Sequence, residues 1–267
     1  MTLSIAFASL KGGVGKTTTA LNCAYAFARR GSRTLLVDTD PQGAIGLSLD
    51  GVGDRAGLAA SVTNSEAALA GVMKTRLAEL HLLPMGMVDA MDVDSFSQIA
   101  RETDALKRIV ERSQMEYDIV LFDTPAGLGG MTRLALEAVD SVVAVAQCEP
   151  LALRSLPRLL ELLGQLRENG GDCSLLGVVG NMSSFRDPVV LASLEELWAL
   201  YREQVFETAI PRDGMFLQAS RAGVPLGLLS RRPPGVAAVF DSLVAEIEAR
   251  LGVVEGGKDD GPIRLVD

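Results

Sequence analysis

Short apolar runs alternate along this chain with longer segments in which apolar residues recur every three or four positions. The short runs predict strands, and the longer spacing predicts amphipathic helices between them. The predicted strands are 3–9, 33–38, 79–85, 117–123, 141–147, 174–181 and 205–210. The predicted helices are 16–30, roughly 95–114, 130–139, 155–168, 187–201 and 236–251. This alternation predicts right-handed crossovers and an α/β fold, with a doubly wound, mainly parallel sheet flanked by helices, in which ligands bind at the carboxyl ends of the strands.

The same pattern predicts a single domain over residues 1–251, because no internal repeat and no linker divides it. Residues 50–75 are rich in Gly, Ala and small polar residues, which predicts a loop with short helices. Residues 252–267 combine glycines with acidic residues and predict a flexible acidic C-terminal tail.

Composition narrows the class of protein. The 267 residues are 48% hydrophobic but only 4% aromatic, so the core is built from Leu, Val, Ile and Ala, as in buried parallel sheets. Cys23, Cys148 and Cys173 lie far apart without C-x-x-C spacing. They therefore predict small buried thiols in a reducing cytosol rather than a metal site or a disulfide framework.

Charge and hydropathy bear on location and partners. No apolar run approaches the roughly 20 residues that span a bilayer, and no basic signal-peptide start precedes the first strand, so we expect a cytoplasmic protein. The net charge is -9. Any contact with nucleic acid must therefore come from a local basic patch.

A glycine-rich loop, 9-SLKGGVGKTTTA-20, lies between the first predicted strand and the first predicted helix. In that context glycines turn successive backbone N–H groups toward phosphate oxygens, and the helix N-terminus adds its positive dipole end. Lys16 is expected to reach the β and γ phosphates, and the Thr17 hydroxyl to ligate Mg²⁺. The predicted phosphate-binding residues are Gly12, Gly13, Val14, Gly15, Lys16, Thr17 and Thr18. The alternative is a glycine-rich turn that binds nothing.

Two other predicted strands end in aspartate followed shortly by proline, in 35-LLVDTDPQG-43 and 119-IVLFDTPAG-127. Such strands deliver carboxylates to the edge where the glycine-rich loop opens. Asp38 and Asp123 are therefore candidates to hold Mg²⁺, and Asp40 is a candidate to orient the attacking water. Taken alone, each aspartate could equally well have a structural role, as a helix cap or a turn residue, instead of a functional one.

Three motifs, K-G-G-V-G-K-T-T-T, V-D-T-D-P-Q-G and F-D-T-P-A-G, occur here in that order. They resemble the ParA/MinD family of deviant Walker A ATPases, which position plasmids, chromosomes, division proteins and large protein clusters. The resemblance implies a P-loop NTPase fold, ATP and Mg²⁺. It also identifies Lys11 with the family's signature lysine, which crosses to the nucleotide of a second subunit in an ATP-bound homodimer. Gly12 would then permit close approach of the two loops, whereas the alternative for Lys11 is a solvated lysine near a phosphate.

Adenine recognition is predicted at two further strand ends. Asn181 ends a predicted strand, where its amide has the donors and acceptors that pair with a base edge. By resemblance, the segment Pro211, Arg212 and Asp213 corresponds to the family's second base-contacting loop. The sequence departs from the commoner family wording at both places, and Asn181 as a plain turn residue stays open.

The resemblance leaves open which ligand the dimer binds, since ParA-like members bind DNA nonspecifically and MinD-like members bind membrane. The final predicted helix sets Asp241, Glu246 and Glu248 against Arg250, a face that anionic lipid repels. Residues 202–232 contain five arginines and three acidic residues, a local charge of +2. The preferred DNA contacts are Arg221, Arg231 and Arg232. Surface arginines without a partner are the alternative.

Other nucleotide-binding classes lack their markers here. Iron–sulfur carriers need paired cysteines, tyrosine autokinases end in a tyrosine cluster, and operator binding needs a helix-turn-helix ahead of the loop. An ATP-dependent metabolic ligase or synthetase stays open, as does a MinD-like membrane-associated ATPase. The preferred prediction is a slow, nucleoid-associated ParA-type ATPase that partitions or positions a cargo and is stimulated by a cargo adaptor. The cargo would be a plasmid or chromosome centromere complex, or a body such as a chemoreceptor cluster or a carboxysome-like body.

Overall fold

A seven-stranded sheet forms the centre of the computed structural model, which describes residues 2–52, 57–63, 68–86 and 93–252. The strands in these ranges are β1 Leu3–Ala8, β2 Thr34–Asp38, β3 Met73–Lys74, β4 Leu80–Leu83, β5 Ile119–Asp123, β6 Ser141–Gln147 and β7 Ser174–Asn181. Their order is β3-β4-β2-β5-β1-β6-β7. All neighbours are parallel except β3, which runs antiparallel to β4. The predicted doubly wound sheet is confirmed.

Ten α-helices connect and cover the strands in the same ranges. They are α1 Lys16–Arg29, α2 Ala44–Ser48, α3 Leu58–Thr63, α4 Val93–Glu102, α5 Ala105–Ser113, α6 Gly130–Ala138, α7 Pro150–Glu168, α8 Pro188–Tyr201, α9 Gly214–Ala222 and α10 Ala238–Arg250. Among the described residues, no helix combines the length and the apolar character that a bilayer crossing requires.

The sheet separates two hydrophobic cores because side chains alternate between its faces. In β1, Ile5 and Phe7 belong to one core, which α1 and α10 cover. Ala6 and Ala8 belong to the other core, together with side chains of α6 and α7. The three cysteines are free and buried, as predicted.

The predicted strand 205–210 is wrong. Backbone hydrogen bonds join this segment to β7 near its two ends, where Phe206 N donates to Val178 O at 2.9 Å and Ile210 N donates to Gly180 O at 2.8 Å. Between these contacts, the N–H groups of Glu207 and Thr208 donate to the carboxylate of Glu246 on α10. Those N–H groups are therefore withdrawn from the sheet, and no ladder forms.

The predicted helix 95–114 is two helices, α4 and α5. The break lies at Asp104, whose φ of 48° is left-handed, a conformation that Asp tolerates better than most residues. Helix α7 begins at Pro150, earlier than the predicted 155, and β3 and α9 were not predicted. Of the predicted tail 252–267, residues 253–267 lie outside the described residues.

Candidate nucleotide-binding site

The glycine-rich loop lies at the carboxyl edge of the sheet, between the end of β1 and the start of α1 at Lys16. Gly13 and Gly15 have φ of 74° and 88°, left-handed values that side chains rarely adopt. Val14, between them, is fully buried and anchors the loop in the core. The loop can therefore hold the curled backbone that presents N–H groups to an anion at the N-terminus of α1.

Asn181, at the end of β7, is tied to this loop. Its side-chain Nδ2 donates to the carbonyl of Val14 at 2.6 Å, and its Oδ1 accepts from the N–H of Met182 at 2.8 Å. A Cβ added to Gly15 would lie 2.3 Å from the same Nδ2, so only glycine fits there. Asn181 thus fixes the loop to the sheet, a role that was not predicted. Its contact with adenine stays a prediction.

Lys16 is a buried cation in the loop, with 7% of its surface exposed. Desolvation lowers the pKa of Lys16, and the negative charges of Asp123 and Asp40 oppose that fall. An ammonium group with little access to water gains from binding an anion. The adjacent Thr17 is half-buried and Thr18 is exposed, with its carbonyl accepting from Asn22 Nδ2 at 2.8 Å.

Asp38 and Asp123 end neighbouring strands and face each other directly in the register of β2 and β5. Both are fully buried. The carboxylate of Asp38 accepts from the N–H groups of Ile45 at 2.9 Å and Asp40 at 3.0 Å. Burial nevertheless raises the pKa of Asp38 to about 7. This carboxylate shapes the turn that leads into α2.

Asp123 differs because neither of its carboxylate oxygens has a hydrogen-bond partner among the described residues. Burial and the nearby Asp38 raise the pKa of Asp123 to about 8, against the opposing effects of the Thr17 hydroxyl and Lys16. Buried oxygens without donors fit a hard cation, which prefers oxygen ligands. Asp123, Asp38 and Thr17 are therefore the residues that could hold Mg²⁺.

Asp40 lies at the opening of the site, partly exposed, in the turn after β2. Its carboxylate accepts from Gln42 N at 2.9 Å, and its carbonyl accepts from Gly43 N at 2.8 Å. Its charge lies near enough to raise the pKa of Lys16. The structure therefore brings the predicted water-orienting carboxylate to the predicted phosphate loop.

Lys11 has partners that the sequence reasoning missed. Its Nζ forms an ion pair with Glu149 and lies 3.4 Å from Gln147 Oε1. A signal for them existed, because 147-QCEP-150 repeats at β6 the pattern of a strand ending in a polar group followed by proline. That pattern had singled out Asp38 and Asp123.

The two segments predicted to contact adenine lie side by side. Ser183 forms a parallel bridge with Pro211, and the N–H of Arg212 donates to the Ser183 carbonyl at 2.9 Å. Asp213 caps α9, because its carboxylate accepts from Met215 N at 2.7 Å. The structure thus brings Asn181 and residues 211–213 together at the same edge of the sheet.

The three arginines predicted to bind DNA are exposed: Arg221 on α9, and Arg231 and Arg232 in the segment before α10. This part of the chain is fixed to the body by several hydrogen bonds, one of them from the Tyr25 hydroxyl to the Gly227 carbonyl at 3.3 Å. The N–H of Leu226 donates to Asn22 Oδ1 at 2.8 Å, and the N–H of Asp50 donates to the Gly223 carbonyl at 3.0 Å.

Comparisons with known proteins agree with this geometry. A family model described as "AAA domain" matches residues 2–173. Sporulation initiation inhibitor protein Soj of Bacillus subtilis is 34% identical over 250 residues, covering 92% of this chain and 98% of Soj. Chromosome partitioning protein ParA of Myxococcus xanthus is 32% identical over 240 residues, covering 86% of this chain and 83% of that protein. The solved structure of cobyrinic acid a,c-diamide synthase from Mycobacterium smegmatis, with bound ATP analog and magnesium, matches with a TM-score of 0.76 at 27% identity, covering 92% of this chain and 93% of that chain.

Proposed function

The chain belongs to the ParA/MinD family of P-loop ATPases, and from this premise we propose that it is a Mg²⁺-dependent, ParA-type ATPase that alternates between an ATP-bound homodimer and an ADP-bound monomer. In this proposal the ATP dimer binds nucleoid DNA without sequence preference, and a cargo adaptor accelerates slow hydrolysis and releases the dimer. The cargo is a plasmid or chromosome centromere complex or a protein cluster such as cytoplasmic chemoreceptors.

The observation that carries the proposal is the pairing of the phosphate loop with the two unpartnered oxygens of Asp123. Lys16 and the loop N–H groups bind the phosphates, while Thr17, Asp38 and Asp123 hold the metal ion. Mg²⁺, when bound, neutralises phosphate charge during transfer to water. Asp40 orients the attacking water from the opening of the site.

Gly12 supports a face-to-face dimer. Among the described residues of one copy nothing demands glycine, since Gly12 has no positive φ and an added Cβ would meet Ala126 Cβ at an ordinary 3.6 Å. A second loop approaching this exposed position closely would demand it. The same edge exposes large apolar side chains near the starts of α7 and α8, among them Leu151 at 59%, Phe185 at 77% and Val189 at 58%. Such exposure supports a protein interface at this edge.

Exposed arginines support DNA as the ligand of the dimer. Arg29, at the end of α1, lines a cleft of about 180 Å³ together with Pro233, the residue that follows Arg232 in the chain, so it adds a cation to this side of the molecule. Doubling by dimerisation would give a surface that neutralises several phosphates without reading bases. The Asp50–Gly223 contact joins the end of α2, which follows Asp38, to the segment that carries these arginines.

Helix α10 favours DNA over a membrane. Its apolar residues Phe240, Leu243, Val244 and Ile247 are buried in the core that α1 also covers. The carboxylate of Glu246 is occupied by backbone N–H groups, and Glu248 pairs with Arg30. An amphipathic membrane anchor needs an apolar face that is available to lipid.

A ligase or synthetase is the second candidate, favoured by the name of the structural relative from Mycobacterium smegmatis. That class needs a pocket for a second substrate beside the phosphates. The 180 Å³ cleft instead lies along α1 from Asn22 to Arg29, beyond the phosphate-binding start of the helix. We therefore prefer the switch ATPase.

Binding to random-sequence DNA with ATP, with ADP and without nucleotide tests the DNA proposal, at about 50 and 200 mM salt. We expect binding only with ATP, weaker at the higher salt, and weakened about tenfold further in an Arg231→Ala/Arg232→Ala double variant. Arg158→Ala/Arg167→Ala, on α7 across the sheet, is the charge-matched control. Equal binding without ATP, equal loss in both variants, or ATP-dependent binding to anionic vesicles instead of DNA would contradict the proposal.

A further inference from the structure

We propose that Glu149 is a positioning residue for Lys11. Its ion pair keeps the Lys11 side chain within its own subunit until Lys11 binds the ATP of a second subunit. The inference rests on the proposed ATP-dependent dimer. It adds a device that sets how readily the dimer forms.

The geometry places Lys11 over the end of its own β6. Its Nζ pairs with the carboxylate of Glu149 and lies 3.4 Å from Gln147 Oε1, while its backbone N–H donates to Ser9 Oγ at 3.3 Å. The side chains of Lys11 and Glu149 are 33% and 27% exposed, respectively. The ammonium group is therefore held within the subunit, yet it remains reachable from outside.

Glu149 is available for this role because, within the part of the chain that the structure describes, its side chain bonds to Lys11 and to no other residue. It is the N-cap residue of α7, but its side chain makes no capping hydrogen bond. Its backbone is fixed instead, with its carbonyl accepting from Ala152 N at 3.1 Å and its N–H donating to the Gln147 carbonyl at 2.7 Å. The hydrogen-bonded backbone and the carboxylate that caps no helix N–H together direct the negative charge at Lys11.

The Lys11 ammonium group cannot form a close ion pair with Glu149 and with the phosphates bound to a partner subunit at the same time. A triphosphate carries more negative charge than a single carboxylate, and ADP carries less than ATP, so ATP is the better competitor for Lys11. Each dimer must break two such pairs, one in each subunit. Because ion pairs at this exposure are individually weak, removing both is expected to change the dimer dissociation constant by about tenfold, which is about 1.4 kcal/mol.

The first test compares Glu149→Gln with Glu161→Gln, an equal change of charge at an exposed position on the same helix. With a slowly hydrolysed ATP analogue, we expect Glu149→Gln to dimerise at about tenfold lower protein concentration than wild type, with Glu161→Gln close to wild type. In a Lys11→Ala background, Glu149→Gln should have no effect. A Glu149→Gln dimer as weak as wild type, or weaker, overturns the proposal.

A second test needs no dimer. In the nucleotide-free protein, the ion pair should slow acetylation of the Lys11 amine by acetic anhydride, measured by mass spectrometry against Lys107 as the internal reference. Glu149→Gln should speed the labelling of Lys11 several-fold, and Glu161→Gln should not. Equal labelling of Lys11 in both variants would contradict the Glu149 proposal even if ATP drives dimerisation. If Glu149→Gln speeds the labelling but the wild-type protein never dimerises with ATP, the proposed function alone is refuted.

Discussion

The two edges of the central sheet treat their polar groups in opposite ways. At the amino edge, Asp140 Oδ2 accepts from Ser4 N at 3.1 Å and from Ser4 Oγ at 2.6 Å. Arg33 and Asp118 pair at 2.7 Å, and the Thr2 hydroxyl donates to the Tyr117 carbonyl at 2.6 Å. Each of these groups has a partner within the subunit, so this edge closes the fold.

At the carboxyl edge, a few residues further along the same strands, Asp38 and Asn181 are hydrogen-bonded within the subunit, but other polar groups are available to bind a ligand. Asp123 is buried and neither of its carboxylate oxygens has a hydrogen-bond partner among the described residues, and Lys16 is buried in a loop shaped for an anion. The Lys11 ammonium group is held by a partly exposed ion pair with Glu149 and a long contact to Gln147. Unsatisfied buried groups weaken a fold unless a ligand satisfies them. The polar groups of the amino edge therefore stabilise the fold, whereas several of those at the carboxyl edge are available to bind a ligand.

The largest effect should come from Lys16→Ala, which removes the buried cation of the carboxyl edge. Charge-assisted contacts to phosphates are worth about 1.5–3 kcal/mol each, so losing two should lower ATP affinity about 100-fold or more. Isothermal titration with Mg²⁺ and ATP measures this. Lys107→Ala, an exposed lysine on α5, is the control and should bind as wild type does. Retention of wild-type affinity by Lys16→Ala would place the nucleotide elsewhere.

A smaller effect, on the free energy of unfolding, should follow when Asp140 at the amino edge or Asp123 at the carboxyl edge is replaced by asparagine. The two changes should have opposite signs. Asp140→Asn weakens charge-assisted bonds to Ser4 and should lower the free energy of unfolding by about 1 kcal/mol. Asp123→Asn removes a buried carboxyl without partners and should raise it by about 2 kcal/mol without nucleotide. Urea unfolding in EDTA measures both. The comparison fails if both variants are destabilised alike.

The pH dependence of this difference checks its cause. Because the pKa of Asp123 is raised to about 8, stability from its neutral carboxyl is complete below the ordinary pKa of aspartate and is lost as the pH rises through about 8. The advantage of Asp123→Asn over wild type should therefore grow between pH 5 and pH 8, about the window between those two values. A constant difference over that range would mean that burial of an ionisable group is not the reason.

The fold could be predicted from the sequence wherever the local pattern decided the structure. The buried strands that end in Asp38 and Asp123 are continuous apolar runs, and strand–helix alternation determines how they are connected. The prediction failed where a distant side chain decided. Residues 205–210 have a strand pattern, but Glu246 on α10 takes two of their N–H groups. The break at Asp104 is a left-handed residue without a Gly or Pro to signal it.

The site divides in the same way. That Lys16, Thr17, Asp38 and Asp123 lie together could be predicted, because each is at a strand end or a helix start. The hydrogen bond between Asn181 and Val14 joins residues 167 positions apart, and the ion pair between Glu149 and Lys11 joins residues 138 positions apart. Such pairings depend on the order of strands in the sheet, which local spacing does not contain.

The most direct test of the central claim is the mass in solution of an Asp40→Ala protein with saturating Mg²⁺ and ATP, measured by light scattering. We predict a dimer, because Asp40→Ala should slow hydrolysis while leaving Lys11 free to reach the partner's nucleotide. Adding Lys11→Ala, or separately Gly12→Val, should return the protein to a monomer that still binds ATP. A monomer from Asp40→Ala alone, or a dimer that survives Lys11→Ala, would contradict the proposed ATP-dependent dimer.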